Sequence, residues 1–93
     1  MIASFKDAET MELFTERKSR RWASVANVAL RKLDQLAAAI SLHDLKVPPA
    51  NRLEALKGGR KGQHSIRVND QYRICFTWEK DGAHGVELTD YHK

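Results

Sequence analysis

The amino-acid sequence is cut in two by Pro48-Pro49. Neither an α-helix nor a central β-strand runs through such a pair, because each proline lacks an amide donor and its ring clashes with the preceding turn. The two sides have different hydrophobic periods. Before the prolines, Trp22, Ala26, Ala29, Leu33, Leu36 and Ile40 are spaced by alternating fours and threes, which draws one apolar stripe down a helix of roughly five turns. After them, HSIRV and YRICFTW alternate with period two, as half-buried strands do. A chain that changes period once in this way segregates helices from strands and packs the first against one face of the second.

The remaining elements fill in that plan. MIASF alternates and is followed by Asp7, a good N-cap, so a short strand is expected to run into a helix over about residues 8–15. Met11 and Phe14 are expected to face inward. Arg52 to Leu56 suits a strand or a loop, Gly58-Gly59 and Gly62 interrupt the chain, Asp81-Gly82 marks a turn, and residues 85–91 supply the last strand. The expected fold class is α+β: two N-terminal helices packed on a twisted, mainly antiparallel sheet of four to five strands. Residues 1–93 are expected to form one domain, since a chain this short hides only about two thirds of its extended surface on folding.

Composition narrows the function. Apolar residues at 42% and charged residues at 30% suit a globular chain. No apolar run approaches the ~18 residues of a membrane span, and the amino-terminal stretch lacks a signal peptide's basic start and apolar middle. A cytoplasmic protein with no membrane partner is expected. Cys75 is the single cysteine, and its place between Ile74 and Phe76 reads as a strand position. The formal charge of +4 is clustered: Arg17, Lys18, Arg20 and Arg21 form one knot, Lys57, Arg60 and Lys61 another, with Arg67 and Arg73 close behind. Clustering of this kind raises the local potential that attracts phosphate.

The hairpin between HSIRV and YRICFTW carries a sharper argument. A two-residue turn would set Ile66 opposite Arg73 and mix the faces. A three-residue turn over Asn69-Asp70-Gln71 pairs Val68 with Tyr72, Ile66 with Ile74, and Arg67 with Arg73, leaving the core face apolar. Two arginines then stand across from each other on the opposite face, an arrangement that calls for a neutralising negative group. The chain's end, Asp90-Tyr91-His92, is expected to converge with Arg73, Arg67 and Lys57 over one patch.

Such a patch has the parts for cutting RNA without a metal: a group to take the 2′-hydroxyl proton, a cation for the charged phosphorane and a group to protonate the leaving 5′-oxygen. His92 carries a side chain suited to proton transfer near neutrality. Arg73 offers a fork that matches phosphate oxygens. Tyr91 can stack on a base or donate its hydroxyl, Asp90 can act as a base or orient the imidazole, and Lys57 adds positive charge. His43, His64, His84 and His92 show no metal-ligand spacing, and GGRKG follows no strand that opens a helix. No metal and no cofactor are expected.

These residues resemble a known family. LEALKGGRKGQHSIRVNDQYRICFTW with a terminal DYH, the opening MIASFKDAETMELF and the RRW before the long helix are together similar to the HigB branch of the RelE/ParE toxin superfamily. The resemblance implies a small microbial-ribonuclease-like fold and a growth-inhibiting toxin that cuts messenger RNA in the ribosomal A site. It also implies a neighbouring helix-turn-helix antitoxin of HigA type, with operator DNA reached only through that antitoxin. It places Lys57, Arg73, Asp90, Tyr91 and His92 at positions used for catalysis or for gripping the message, and Arg67 where the strand often carries a base. Arg20, Arg21, Arg60 and Lys61 would meet ribosomal RNA phosphates, contacts that position without specifying. Some relatives place a histidine where this chain has Glu54, which reverses the local charge.

A second function stands beside the first. In its ParE-like form the same scaffold binds DNA gyrase and has no nuclease chemistry, and fold alone does not separate the two. The tail does, since a gyrase binder needs no proton-transfer groups beside paired arginines.

Overall fold

The computed structural model describes residues 1–90; Tyr91, His92 and Lys93 lie outside the described residues. Helix α1 spans Ala8–Glu16 and α2 spans Ala26–Ala38. The strands are β1 (Glu54–Ala55), β2 (His64–Arg67), β3 (Tyr72–Glu79) and β4 (Gly82–Asp90), and they form one antiparallel sheet in the order β1-β2-β3-β4. Both helices lie on one face of it. The core between the layers is built from Leu13, Leu33 and Leu36 on the helices and Ile66, Ile74, Phe76, Val86 and Leu88 on the strands.

Helix α1 begins where the sequence places its cap: the Asp7 carboxylate accepts the Thr10 amide at 2.6 Å and satisfies one of the free first-turn donors. Its phase differs from the expectation. Leu13 and Thr10 are buried, whereas Met11 is 48% exposed. Two residues on a helix are about 200° apart, so Leu13 and Met11 compete for the sheet face. Thr10 decides the phase, because its hydroxyl accepts the amide of Leu88 at 3.1 Å. Phe14 is partly buried, with its ring 5.7 Å from that of Phe5.

Helix α2 buries Ala29, Leu33 and Leu36 as the stripe requires, but it is shorter than five turns, with 13 residues. Trp22 is buried just ahead of a single 3-10 turn, Ala23–Val25. At the other end Ile40 is 92% exposed. The chain leaves the helix at Ala39, where the Asp44 carboxylate accepts the amides of Ile40 (2.9 Å) and Ser41 (3.1 Å). Those bonds start the next turn, Leu42–Lys46, and hold Asp44 below the usual carboxylate range.

The three-residue turn after β2 is present. Ile66 faces Ile74, Arg67 faces Arg73, and the Val68 amide donates to the Tyr72 carbonyl at 3.0 Å. The last strand starts at Gly82, three residues before the expected Gly85, because a bulge between the Cys75 and Thr77 rungs lets the pairing continue. The opening segment does not form a continuous strand. It makes two isolated parallel bridges, Ile2 with Ala83 and Phe5 with Val86, and its backbone covers the outer edge of β4, which would otherwise offer unpaired amides.

Candidate active site

Strand alternation gives the sheet a second face, away from the helices. Arg67 and Ser65 of β2, Arg73 and Cys75 of β3, and Glu87 and Thr89 of β4 share it by register. Glu54 of β1 joins them, paired with Ser65.

Arg73 is the best-held side chain there, with 12% of it exposed. Its Nε donates to Ser65 Oγ at 2.7 Å, its Nη2 to the Arg52 carbonyl at 2.6 Å, and its Nη1 lies 3.8 Å from the Glu54 carboxylate. The strand fixes the stem, and Ser65 together with the Arg52 and Glu54 stretch orients the plane. A guanidinium so prearranged meets a phosphate without first giving up rotamer freedom. The negative group that the arginine pair calls for is supplied by the chain itself: Glu54 stands beside Arg73, and Asp70 accepts from Arg67 in the turn.

The loop after β1 brings a third cation. Arg60 Nη1 donates to Glu87 at 2.7 Å and to Gln63 at 3.1 Å, and Lys6 reaches the same Glu87 carboxylate at 3.6 Å. Beneath them Ser65 and Cys75 have no exposure, and burial pushes the Cys75 thiol up. Lys57, exposed, caps the short turn that carries Arg60, and Lys61 follows it, also exposed.

Asp90 pairs with Tyr72, one position out of phase with Arg73, and so takes the helix-side parity at the sheet's end. Its carboxylate accepts from the Gln71 side chain at 3.1 Å. By register Asp90 therefore stands on the other parity from Arg67 and Arg73 and not beside them as expected, while Tyr91 and His92 lie outside the described residues. The Arg17–Arg21 knot belongs to the helical layer. Arg17 makes a two-pronged bond to Asp34 at 3.0 and 2.7 Å, which raises its own proton affinity and lowers that of Asp34. Arg21 pairs with Glu9 at 2.8 Å and lies over the Trp22 ring, while Arg20 is exposed beside an open groove along α1. Trp22 packs edge-on to Tyr72 at 5.3 Å, so the knot reaches the same end of the sheet as Asp90 from the opposite side to Arg73.

Sequence reasoning passed over Ser65 and Glu87 and left Glu54 open. Two signals pointed to them: Ser65 shares parity with Arg67 in β2, as Glu87 does with Thr89, the partner of Arg73, in β4, and the glycines after Lys57 fold Leu56 back onto Gln63, whose carbonyl accepts its amide at 2.9 Å. An open groove at the β1 edge, lined by His43, Lys46, Leu53, Glu54 and His64 among others, adjoins Glu54.

The layout of helices and sheet is shared with solved structures. A YoeB–YefM complex from Staphylococcus aureus contains a chain that superposes with a TM-score of 0.62 over 100% of this chain and 99% of its own, at 16% identity. A YafQ variant from E. coli gives 0.60 over 97% and 91%, at 14% identity. At such identities the likeness concerns the fold. The sequence goes further: "Toxin HigB-1" of Vibrio cholerae serotype O1 is 42% identical over 98% of this chain and 94% of its own length. Residues 3–92 match the model of the RelE-like toxin of type II toxin-antitoxin system HigB, and the chain belongs to that family. It is a toxin of a type II system, and such a toxin has an antitoxin for its partner.

Proposed function

We propose that this toxin is an endoribonuclease that cuts messenger RNA in the ribosomal A site by metal-independent attack of the 2′-hydroxyl on the adjacent phosphate. The observation that carries the reading is the Glu54–Arg73 pair: a carboxylate 30% exposed stands 3.8 Å from a guanidinium held on three sides. Glu54 takes the 2′-hydroxyl proton as the 2′-oxygen bonds to phosphorus. Arg73 neutralises the oxygens of the phosphorane. The 5′-oxygen then leaves with a proton from the terminal Asp90-Tyr91-His92 group, for which His92 is the donor of choice. A 2′,3′-cyclic phosphate and a free 5′-hydroxyl result.

Lys57, Lys61 and Arg67 add phosphate contacts around that pair, and Arg60 contributes to the field while tied to Glu87. Arg20 and Arg21 meet ribosomal RNA from the helical layer. The reading places the protein in the cytoplasm with the ribosome, the message and a HigA-like helix-turn-helix antitoxin, which alone carries it to operator DNA. Among the described residues no helix is long and apolar enough to cross a membrane. The gyrase-binding alternative is not favoured, since the family match is to HigB toxins.

The test is to induce the protein and map transcript 5′ ends, comparing it with folded Arg73→Ala and His92→Ala variants. Cuts inside codons of translated messages, lost in both variants, are the expected result. Intact messages with a DNA-damage response overturn the proposal in favour of gyrase binding.

A further inference from the structure

Glu87 has no role in the reaction as set out above, yet it organises the face on which the reaction is placed. Cys75 pairs with Glu87 and Arg73 with Thr89, so the carboxylate and the reactive guanidinium stand on one face two residues apart along the strands, roughly 7 Å. With only 13% of its side chain exposed, Glu87 accepts Arg60 at 2.7 Å and approaches Lys6 at 3.6 Å. Two cations from distant parts of the chain thus meet at one carboxylate. Removing such charges partly from water costs about as much as their attraction returns, so the pair adds little net stability. What it fixes is geometry.

The piece it fixes is the turn that opens at Lys57. The Arg60 amide donates to the Lys57 carbonyl (3.2 Å), the Lys61 amide to Gly58 (3.1 Å) and the Gln63 amide to Arg60 (3.0 Å), so residues 57–63 are locked to one another. Gly58 and Gly62 bracket Arg60 with φ of 62° and 95°, and nothing lies within 4 Å of where either Cβ would stand. Glycines at those two places leave the turn's attachment to the sheet free to vary; the Arg60 side chain ties its middle to the sheet, and the bond from the Arg60 amide to the Lys57 carbonyl extends that hold to Lys57.

We propose that Glu87 is a positioning residue of the site: by gripping Arg60 it docks the 57–62 turn on the sheet face and sets where the Lys57 ammonium meets RNA. The role in RNA cleavage rests on the ribonuclease reading above, whereas the docking stands on geometry alone. The chain carries its own reporter, since its single cysteine, Cys75, is fully buried opposite Glu87.

The experiment has two arms. In the first, Cys75 of the native protein is alkylated with iodoacetamide and compared with Glu87→Ala and the milder Glu87→Gln. Undocking exposes the thiol locally, so labelling accelerates by about tenfold or more while the urea midpoint stays near that of the native chain. In the second, cleavage of a defined message on purified ribosomes is measured for Lys57→Ala, Glu87→Gln and the double variant. If Glu87 acts through Lys57, each single variant lowers kcat with KM little changed, and the double loses no more than the worse single. Unchanged labelling overturns the docking, and single losses that multiply overturn the link to Lys57. A native protein that leaves RNA uncut removes the catalytic role along with the ribonuclease reading, and the labelling arm still decides the docking.

Discussion

Glu54 and Arg73 stand 3.8 Å apart on the face of the sheet opposite the helices, and Ser65 joins them, paired with Glu54 across the strands and bonded to Arg73 through its hydroxyl. This triangle ties the site to three strands at once. Replacing Arg73 with lysine keeps the charge and loses the fork that holds it to Ser65 and to the Arg52 carbonyl. Arg73→Lys is expected to cut message cleavage by about a hundredfold or more, the scale of losing one transition-state donor. Glu54→Gln is expected to lower it by about 10²–10⁴. Single-turnover cleavage on ribosomes across pH checks both, and a Glu54→Gln enzyme of native rate would remove Glu54 from the chemistry.

The covering of β4 by the amino-terminal segment depends on one close approach. A Cβ at Gly82 would lie 2.2 Å from the Met1 carbonyl oxygen, and Gly82 has φ of 119°. Gly82→Ala is expected to displace the segment and cost about 1–3 kcal/mol. Amide exchange should speed up at Ala83 and Val86, which donate to Met1 and Ser4, before it does at Ile74. Uniform acceleration along the sheet would contradict this.

Asn51 has no exposure and accepts Lys32 Nζ at 2.6 Å while donating to the Leu45 carbonyl at 3.2 Å and Gln35 at 3.0 Å. Burial, helped by Arg31 and Arg67, lowers the proton affinity of Lys32. Asn51→Ala strands that ammonium without its acceptor and is expected to cost about 2–4 kcal/mol in urea unfolding. Adding Lys32→Met should recover part of the loss. A double variant no more stable than Asn51→Ala alone would show that the charge was not the cause.

His84 and Asp81 close the β3–β4 turn at 2.5 Å. The hydrogen bond to Asp81 raises the His84 pKa, and the bond from His84 lowers that of Asp81. A raised histidine contributes stability that is complete below its ordinary pKa and lost as pH rises through the folded value. A lowered aspartate contributes stability that is complete above its ordinary pKa and lost as pH falls through the folded one. The pair therefore supports the turn in the mildly acid range and fades toward alkaline pH. NMR titration of the His84 ring is expected to give a midpoint above about 6.5, returning toward that value in Asp81→Asn; an unmoved midpoint would exclude the pairing in solution.

Much of this architecture is legible without coordinates. Ile66 with Ile74 and Arg67 with Arg73 follow from strand period and turn length, because a slip by one residue would send Ile66 or Ile74 into water. The Asp7 cap and the buried faces of Ala29, Leu33 and Leu36 follow in the same way from local chemistry. Met11 and Ile40 did not follow. Each fits an apolar spacing, but a hydroxyl bonded to the Leu88 amide sets the phase of α1, and the Asp44 carboxylate draws the chain out of α2.

The sequence by itself determined the periods of its two halves and the rung on which its arginines face each other, since both depend on spacing between near neighbours. Tertiary structure alone decided that Glu54 stands beside Arg73, that Arg60 is tied to Glu87 and that Arg17 and Arg21 are held by Asp34 and Glu9. Those relationships join residues far apart in the chain, and their distances come from how layers and loops pack, which no local period encodes.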